Sequence, residues 1–194
     1  MQGLDTKFRR KRKVKLCINS GLDVPAISKV LGAASRLVGH FRKSNVATKA
    51  LAIKQEQMGT TQHKLIQSCK TRWNSTYDML RRLEEQRWPI CAVLSDAEYT
   101  SVSDARTFEL TDRDWKLVID LSKCLKFLQV ATTALSSEMK PTLSIVEPIM
   151  SAIATGHMKV LERDSEAIRT FKTTVSNALQ TRFNFVNVSE VING

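Results

Sequence analysis

Apolar residues recur at intervals of three and four along most of the chain. Ile27, Val30, Leu31, Ala34, Leu37, Val38 and Phe41 form one such stripe, the period of a helix that buries one face. Asp23 can cap its start, and Pro25 falls inside the first turn, where a missing N–H costs little. A second run after Asn45 holds Ala47, Ala50, Leu51 and Ile53, and Gly59 suits its stop. Ser75 with Asp78 has the spacing of a capping box ahead of Met79, Leu80 and Leu83. Pro89 interrupts that face, and Ile90 to Leu94 continue it beyond a kink. Residues 96–110 lose the period and read as a loop. Thr111 with Asp114 is a second capping box, opening the longest helix through Trp115, Val118, Ile119, Leu121, Leu125, Leu128 and Leu135. Thr142 can start the next helix, which must absorb Pro148, and Ser165 begins a last one with Ile168, Phe171, Val175 and Leu179. The final FNFVNVSEVING alternates like a strand but has no partner strand elsewhere, so residues 187–194 are expected to fray. The pattern predicts an all-α fold, with one helical domain over residues 16–186.

Composition adds bounds. With 194 residues, 42% of them hydrophobic and only 7 Gly and 4 Pro, the chain can bury a sizeable core. Its apolar runs are too short for a bilayer-spanning helix, so no membrane association is expected. The opening MQGLDTKFRRKRKVK has no apolar stretch behind it, which argues against a secretory signal. Cys17, Cys69, Cys91 and Cys124 are too scattered for a disulfide framework or a zinc site, so reduced thiols inside a cell are the expectation.

Charge changes the picture more. The net charge is +11, and it is uneven. Residues 1–15 hold Lys7, Arg9, Arg10, Lys11, Arg12, Lys13 and Lys15 against Asp5, a net of +6 that leaves +5 for the rest. Residues 1–15 therefore read as a disordered basic tail ahead of a mildly basic body. Such a block suits a nuclear-import receptor or the phosphates of nucleic acid. The bland alternative is a solvated end with no receptor.

Catalytic chemistry is hard to find. His40, His63 and His157 stand alone, with no HxxxH pair and no cysteine within a helical turn, so no metal site is expected. Neither GxxxxGK[ST] nor GxGxxG is present to cradle a phosphate, and no cofactor is implied. Asp96, Asp104, Asp112, Asp114 and Asp120 are close in sequence. Phosphoryl transfer uses clustered acids to hold metal ions, but most of these fall at helix caps or on polar faces. No catalytic residue is nominated.

One segment differs in kind: Cys69-Lys70-Thr71-Arg72-Trp73-Asn74-Ser75-Thr76-Tyr77-Asp78-Met79-Leu80. Arg72 can meet a phosphate, Trp73 can stack on an unpaired base, and a helix start attracts anions. Equally, Trp73 can pack into the core while Asn74 and Ser75 cap the helix, which physics alone favours. The string TRWNSTYDMLRRLEEQRWPI closely resembles a segment of hAT-superfamily transposases and of the zinc finger BED-domain-containing proteins derived from them. Leu110-Thr111-Asp112-Arg113-Asp114-Trp115, then Leu125, Phe127, Ala131, Thr132 and Leu135, resemble that family's next long helix. Pro141 to Ser144, Val146, Pro148 and Leu179 to Phe183 resemble its continuation, and LCINSGLDVPAISKVLGAASRLVGHFRKS resembles its upstream helix. About residues 16–185 are covered.

The resemblance implies the all-helical insertion domain of a transposase-derived protein. Full members also carry a BED zinc finger, a ribonuclease H-like core with three catalytic acids, and a C-terminal dimerisation segment. Those acids would lie outside this chain, and Arg9 to Lys15 stand where the family's Cys-x-x-His motif is expected. Only Trp73, with Arg72 beside it, carries over; in the family this tryptophan is associated with the flipped base at the transposon end. The expected function is a non-catalytic nuclear domain with weak, non-specific DNA binding. Arg9, Arg10, Lys11, Arg12, Lys13, Lys15, Arg72 and Trp73 are the candidate contacts, and an import receptor is a further partner. The alternatives are a helical module for a protein partner, or a truncated product without independent function.

Overall fold

A computed structural model describes residues 2–69, 72–134 and 143–183. Among them are nine α-helices and one π-helical turn, and the sole β-type pairing is an isolated bridge between Cys69 and Arg72. The helices are α1 (Gln2–Leu22), α2 (Pro25–Lys43), α3 (Asn45–Gln57), α4 (Trp73–Glu85), α5 (Arg87–Leu94), α6 (Val102–Phe108), α7 (Asp112–Ala134), α8 (Leu143–Ala152) and α9 (Glu166–Phe183). The π-helical turn Ile153–His157 extends α8. The all-α expectation holds. The helical chain forms two compact units, residues 29–122 and residues 1–28 with 123–194.

In the first unit, local signals set most helix ends. Helix α2 enters this unit from Pro25, its first residue, where the Val24 carbonyl accepts from Ser28 N at 2.8 Å. Ser44 accepts from Ala47 N at 3.1 Å to start α3. Gly59, at φ 62°, ends it with bonds from Gly59 N to Glu56 O and Thr60 N to Gln55 O, the paired bonds of a glycine-terminated helix. The Thr111–Asp114 capping box is closed in both directions, at 3.1 and 3.2 Å. Gln86 separates α4 from α5, and Pro89 sits in the first turn of α5, where no intrahelical N–H is required.

Two expectations fail here. Residues 102–108 are helical, not loop, because Ser101 and Asp104 cap one another. The period was silent because α6 buries nothing. Ser75 does not cap α4: Arg72 holds the cap position without a side-chain bond. The Ser75 hydroxyl instead accepts from Cys69 N at 2.8 Å and lies 2.6 Å from Arg72 O, pinning the turn before the helix.

The core of this unit joins Leu37, Val38 and Phe41 of α2 to Met79, Leu80 and Leu83 of α4, Ile90 and Val93 of α5, and Trp115, Val118 and Leu121 of α7. Between α3 and α4 runs an irregular strap, residues 60–69. Helix side chains serve its carbonyls: Gln86 Nε2 reaches Thr61 O (3.0 Å), Gln55 Nε2 His63 O (2.9 Å), Arg82 Nη1 Lys64 O (2.7 Å) and Arg42 Nη1 Leu65 O (3.3 Å). Long polar side chains thus do for this strap what a ladder does for a strand. Gln55 and Gln86 are themselves buried and bonded to each other at 2.6 Å.

In the second unit the backbone of the basic segment continues α1. The cause is packing: Val14, Cys17, Ile18 and Leu22 recur at helical spacing and are buried, with α1 lying along α9. The approach is close. A Cβ on Gly21 would stand 2.5 Å from Val175 Cγ2 and 2.8 Å from the Phe171 ring, so only glycine fits. Ser165 opens α9 as expected, accepting from Ile168 N at 3.4 Å. Buried Lys172 bonds Asp164 at 2.6 Å and Lys159 O at 3.2 Å, fixing the loop before α9. Burial pushes the Asp164 carboxyl up, but Lys172 and the Leu161 N–H outweigh it and hold the group below its usual range. Helix α8 carries Pro148 and passes into the π-turn, closed by Met158 N to Ile153 O at 2.8 Å. Leu135, Pro141, Thr142 and the expected frayed end at 187–194 lie outside the described residues.

Candidate nucleic-acid interface

The basic run rides on a helix with one face committed. Arg12 is exposed and Lys15 half-buried; of Arg9, Arg10 and Lys11 the backbone alone is described, and it is helical. Lys13, also exposed, reaches the end of α9. Its Nζ donates to Arg182 O at 3.0 Å and lies 5.7 Å from the Phe183 ring centre. A cation there satisfies a terminal carbonyl and the negative end of the helix dipole. Cys17, one turn along, donates its thiol to Ala178 O at 3.2 Å, and burial pushes that thiol up, away from the reactive thiolate. A helix spreads its cations around its circumference, so a duplex on one side meets some of them and not all.

The second candidate begins with a tight turn, Arg72 N to Cys69 O at 2.9 Å, tied to α4 by Ser75. Lys70 and Thr71 lie outside the described residues. Arg72 is exposed on extended backbone, φ −132° and ψ 96°, immediately before α4. Trp73 follows as the first residue of α4 and is only 7% exposed. Its burial is the arrangement that physics alone favours. Of the two neighbours, the ring is buried and the guanidinium exposed.

Two features were not foreseen. Trp88, on α5, is 67% exposed. Its neighbour Arg87 lies 4.8 Å from the Trp88 ring centre and 5.4 Å from that of Trp115, and bonds Asp112 at 2.8 Å. The sequence signal was the second tryptophan of the same basic–aromatic string, placed where a face already has Pro89 and Ile90 to bury. The other is a cleft of about 450 Å3 under the strap, with Phe41, Leu51 and Leu65 as apolar wall and Arg42, His63 and Lys64 among its polar lining. His63 is not isolated: its Nδ1 lies 2.6 Å from Glu85 Oε1, while Glu85 Oε2 meets Arg82 at 2.9 Å.

The acids are engaged separately. Asp96 pairs with Lys54 at 2.8 Å, Asp112 with Arg87 and Asp120 with Lys116, while Asp104 and Asp114 cap helices. Lys54, first through its hydrogen bond, holds the Asp96 carboxyl low. Burial pushes the half-buried Cys91 thiol up. Among the described residues no three His, Cys, Asp or Glu side chains stand together to hold a metal ion, and no helix is long and apolar enough to cross a membrane.

Fold and composition define an all-helical, basic domain. The chain belongs to the family of the ZBED1 RNase-like helical domain, whose model matches residues 12–124, within the hAT-derived, BED-finger group. It is similar to zinc finger BED domain-containing protein 4 of Homo sapiens, 24% identical over 156 residues. That match covers 80% of this chain but only 13% of the relative's length. No solved structure matches the chain.

Proposed function

We propose that this chain is a non-catalytic, transposase-derived domain that works in the nucleus and holds DNA weakly through phosphate contacts. The observation that carries the reading is the basic run on α1: cations fixed on a helix whose other face is anchored to α9. Such an element neutralises phosphates without reading base edges, so binding is sequence-independent and falls steeply with salt. Arg72 adds one cation at the start of α4. Catalysis is not assigned, because the resemblance puts the three acids of the family's core outside this chain. An import receptor that reads basic residues in extended chain would have to unwind α1 over Arg9 to Lys13.

Duplex affinity measured across a salt series tests this. About three or four phosphate contacts give a log–log slope of roughly −3. Changing Arg9, Arg10, Lys11 and Arg12 to Gln should bring that slope to roughly −1, what Arg72 alone would leave. An unchanged slope rules the reading out. A second reading, a module for a protein partner, is favoured by Trp88 and Val102, both largely exposed on the unit of residues 29–122.

A further inference from the structure

The cleft beneath the strap has a single sign of charge. Its lining includes Arg42 from α2, His63 and Lys64 from the strap, and the amides of Asn45 and Gln62, with no carboxylate among them. Arg42 spends one nitrogen on Leu65 O. Glu85 engages His63 through Nδ1, so the remaining ring nitrogen, Nε2, is the one left to a ligand. Lys64 gives the fold its backbone carbonyl, which Arg82 holds, and not its ammonium. Three side chains that carry or can take positive charge thus converge on a concave surface with an apolar wall. Low-dielectric walls focus a field of one sign and raise the local concentration of a ligand of the opposite sign.

The geometry points to a phosphate-ester site: the strap cleft binds the phosphoryl group of a nucleotide, either free or within an unpaired strand. Arg42 and Lys64 take the phosphoryl oxygens, Arg for its forked donors and Lys as a point charge. His63 offers its Nε2, its Nδ1 being engaged by Glu85. Phe41, Leu51 and Leu65 give the rest of the ligand an apolar wall. Helix side chains hold the carbonyls of residues 63–65, Arg42 and Gln55 from within the lining and Arg82 beside it, which keeps this part of the strap in place without a strand. The site is independent of the basic run on α1.

The test uses the full chain, labelled with nitrogen-15 and titrated with inorganic phosphate, thymidine 5′-monophosphate and a short single-stranded oligothymidine. Phosphate esters should shift the amide resonances of Thr48 and residues 62–65. Lys64→Gln should weaken binding roughly tenfold, the worth of one charge-assisted hydrogen bond. Arg42→Gln should do at least as much, but it also releases Leu65 O, so Lys64→Gln is the decisive variant. Tighter binding of the mononucleotide identifies the free nucleotide as the source of the phosphate; tighter binding of the oligothymidine identifies the strand. The Gln variant of α1 should bind the mononucleotide unchanged. No shift at residues 62–65, equal binding by Lys64→Gln, or loss of mononucleotide binding in the α1 variant alone would overturn the proposal.

Discussion

Arg72-Trp73 and Arg87-Trp88 are the same dipeptide fifteen residues apart, and the fold uses them in opposite ways. At the start of α4 the tryptophan is inside and the arginine outside. At the start of α5 the tryptophan is outside, while the arginine is half-buried between two indole rings with its charge met by Asp112. What decides is position on the helix. Trp73 shares a face with Thr76, Tyr77 and Leu80, all buried, at spacings of three, four and seven. Trp88 is followed at three and four by Cys91 and Ala92, which are half-buried, while Pro89, Ile90 and Val93 take the core. A motif therefore predicts a residue's role only once the phase of its helix is known.

The largest break in this comparison should come from Trp73→Ala. Removing a ring this deeply packed should cost roughly 3–5 kcal/mol, enough to unfold a marginal domain. Chemical denaturation of the variant measures it. If Trp73 were instead a base-stacking platform, its loss would lower single-strand affinity at unchanged stability.

Arg87→Ala comes second. Asp112 is almost fully exposed, so that ion pair contributes little. The cost comes from two ring contacts and lost packing, about 1–2 kcal/mol. Arg87→Met separates the two causes. The buried Arg87 Nε has no hydrogen-bond partner, so a neutral chain of similar length removes that orphan donor and keeps the packing. Met should therefore recover about half of the loss, read as the difference between the two denaturation midpoints.

How far the sequence could foresee all this follows the same line. Where burial imposes a period, as in α2, α4, α7 and α9, the helices were legible, and so were Gly59 and the Thr111–Asp114 box; the interruption read at Pro89 falls at Gln86 instead, with Pro89 inside the first turn of α5. Helix α6 was not, because it buries nothing and is held by one capping pair. In α1, Val14, Cys17 and Ile18 carry the helical spacing that packs it on α9. The strap cleft had no local signature at all. His63 looked solitary because Glu85 and Arg42, which give it a charged setting, lie 22 residues after it and 21 before it. Pairs so distant in sequence leave no mark on its pattern.

The smallest stability effect should be that of Trp88→Ala, and it sharpens the comparison most. The ring is 67% exposed, so its removal uncovers little apolar surface and should change stability by no more than about 0.5 kcal/mol. Its optical consequence should be large. Trp73 and Trp115 are shielded by the core, so iodide, which stays in water, should quench the emission of Trp88 alone among the three tryptophans. Trp88→Ala should abolish the quenchable fraction while the melting temperature stays put. Binding then separates the two readings of the surface. If unpaired bases stack on Trp88, the variant should lose roughly 1–3 kcal/mol of single-strand affinity, and oligothymidine should protect the wild-type ring from iodide. If a protein partner covers the ring, oligothymidine should leave the quenching as it was. A Trp88→Ala protein with a lowered melting temperature would show that the ring is held by the fold after all, and the contrast with Trp73 would fail.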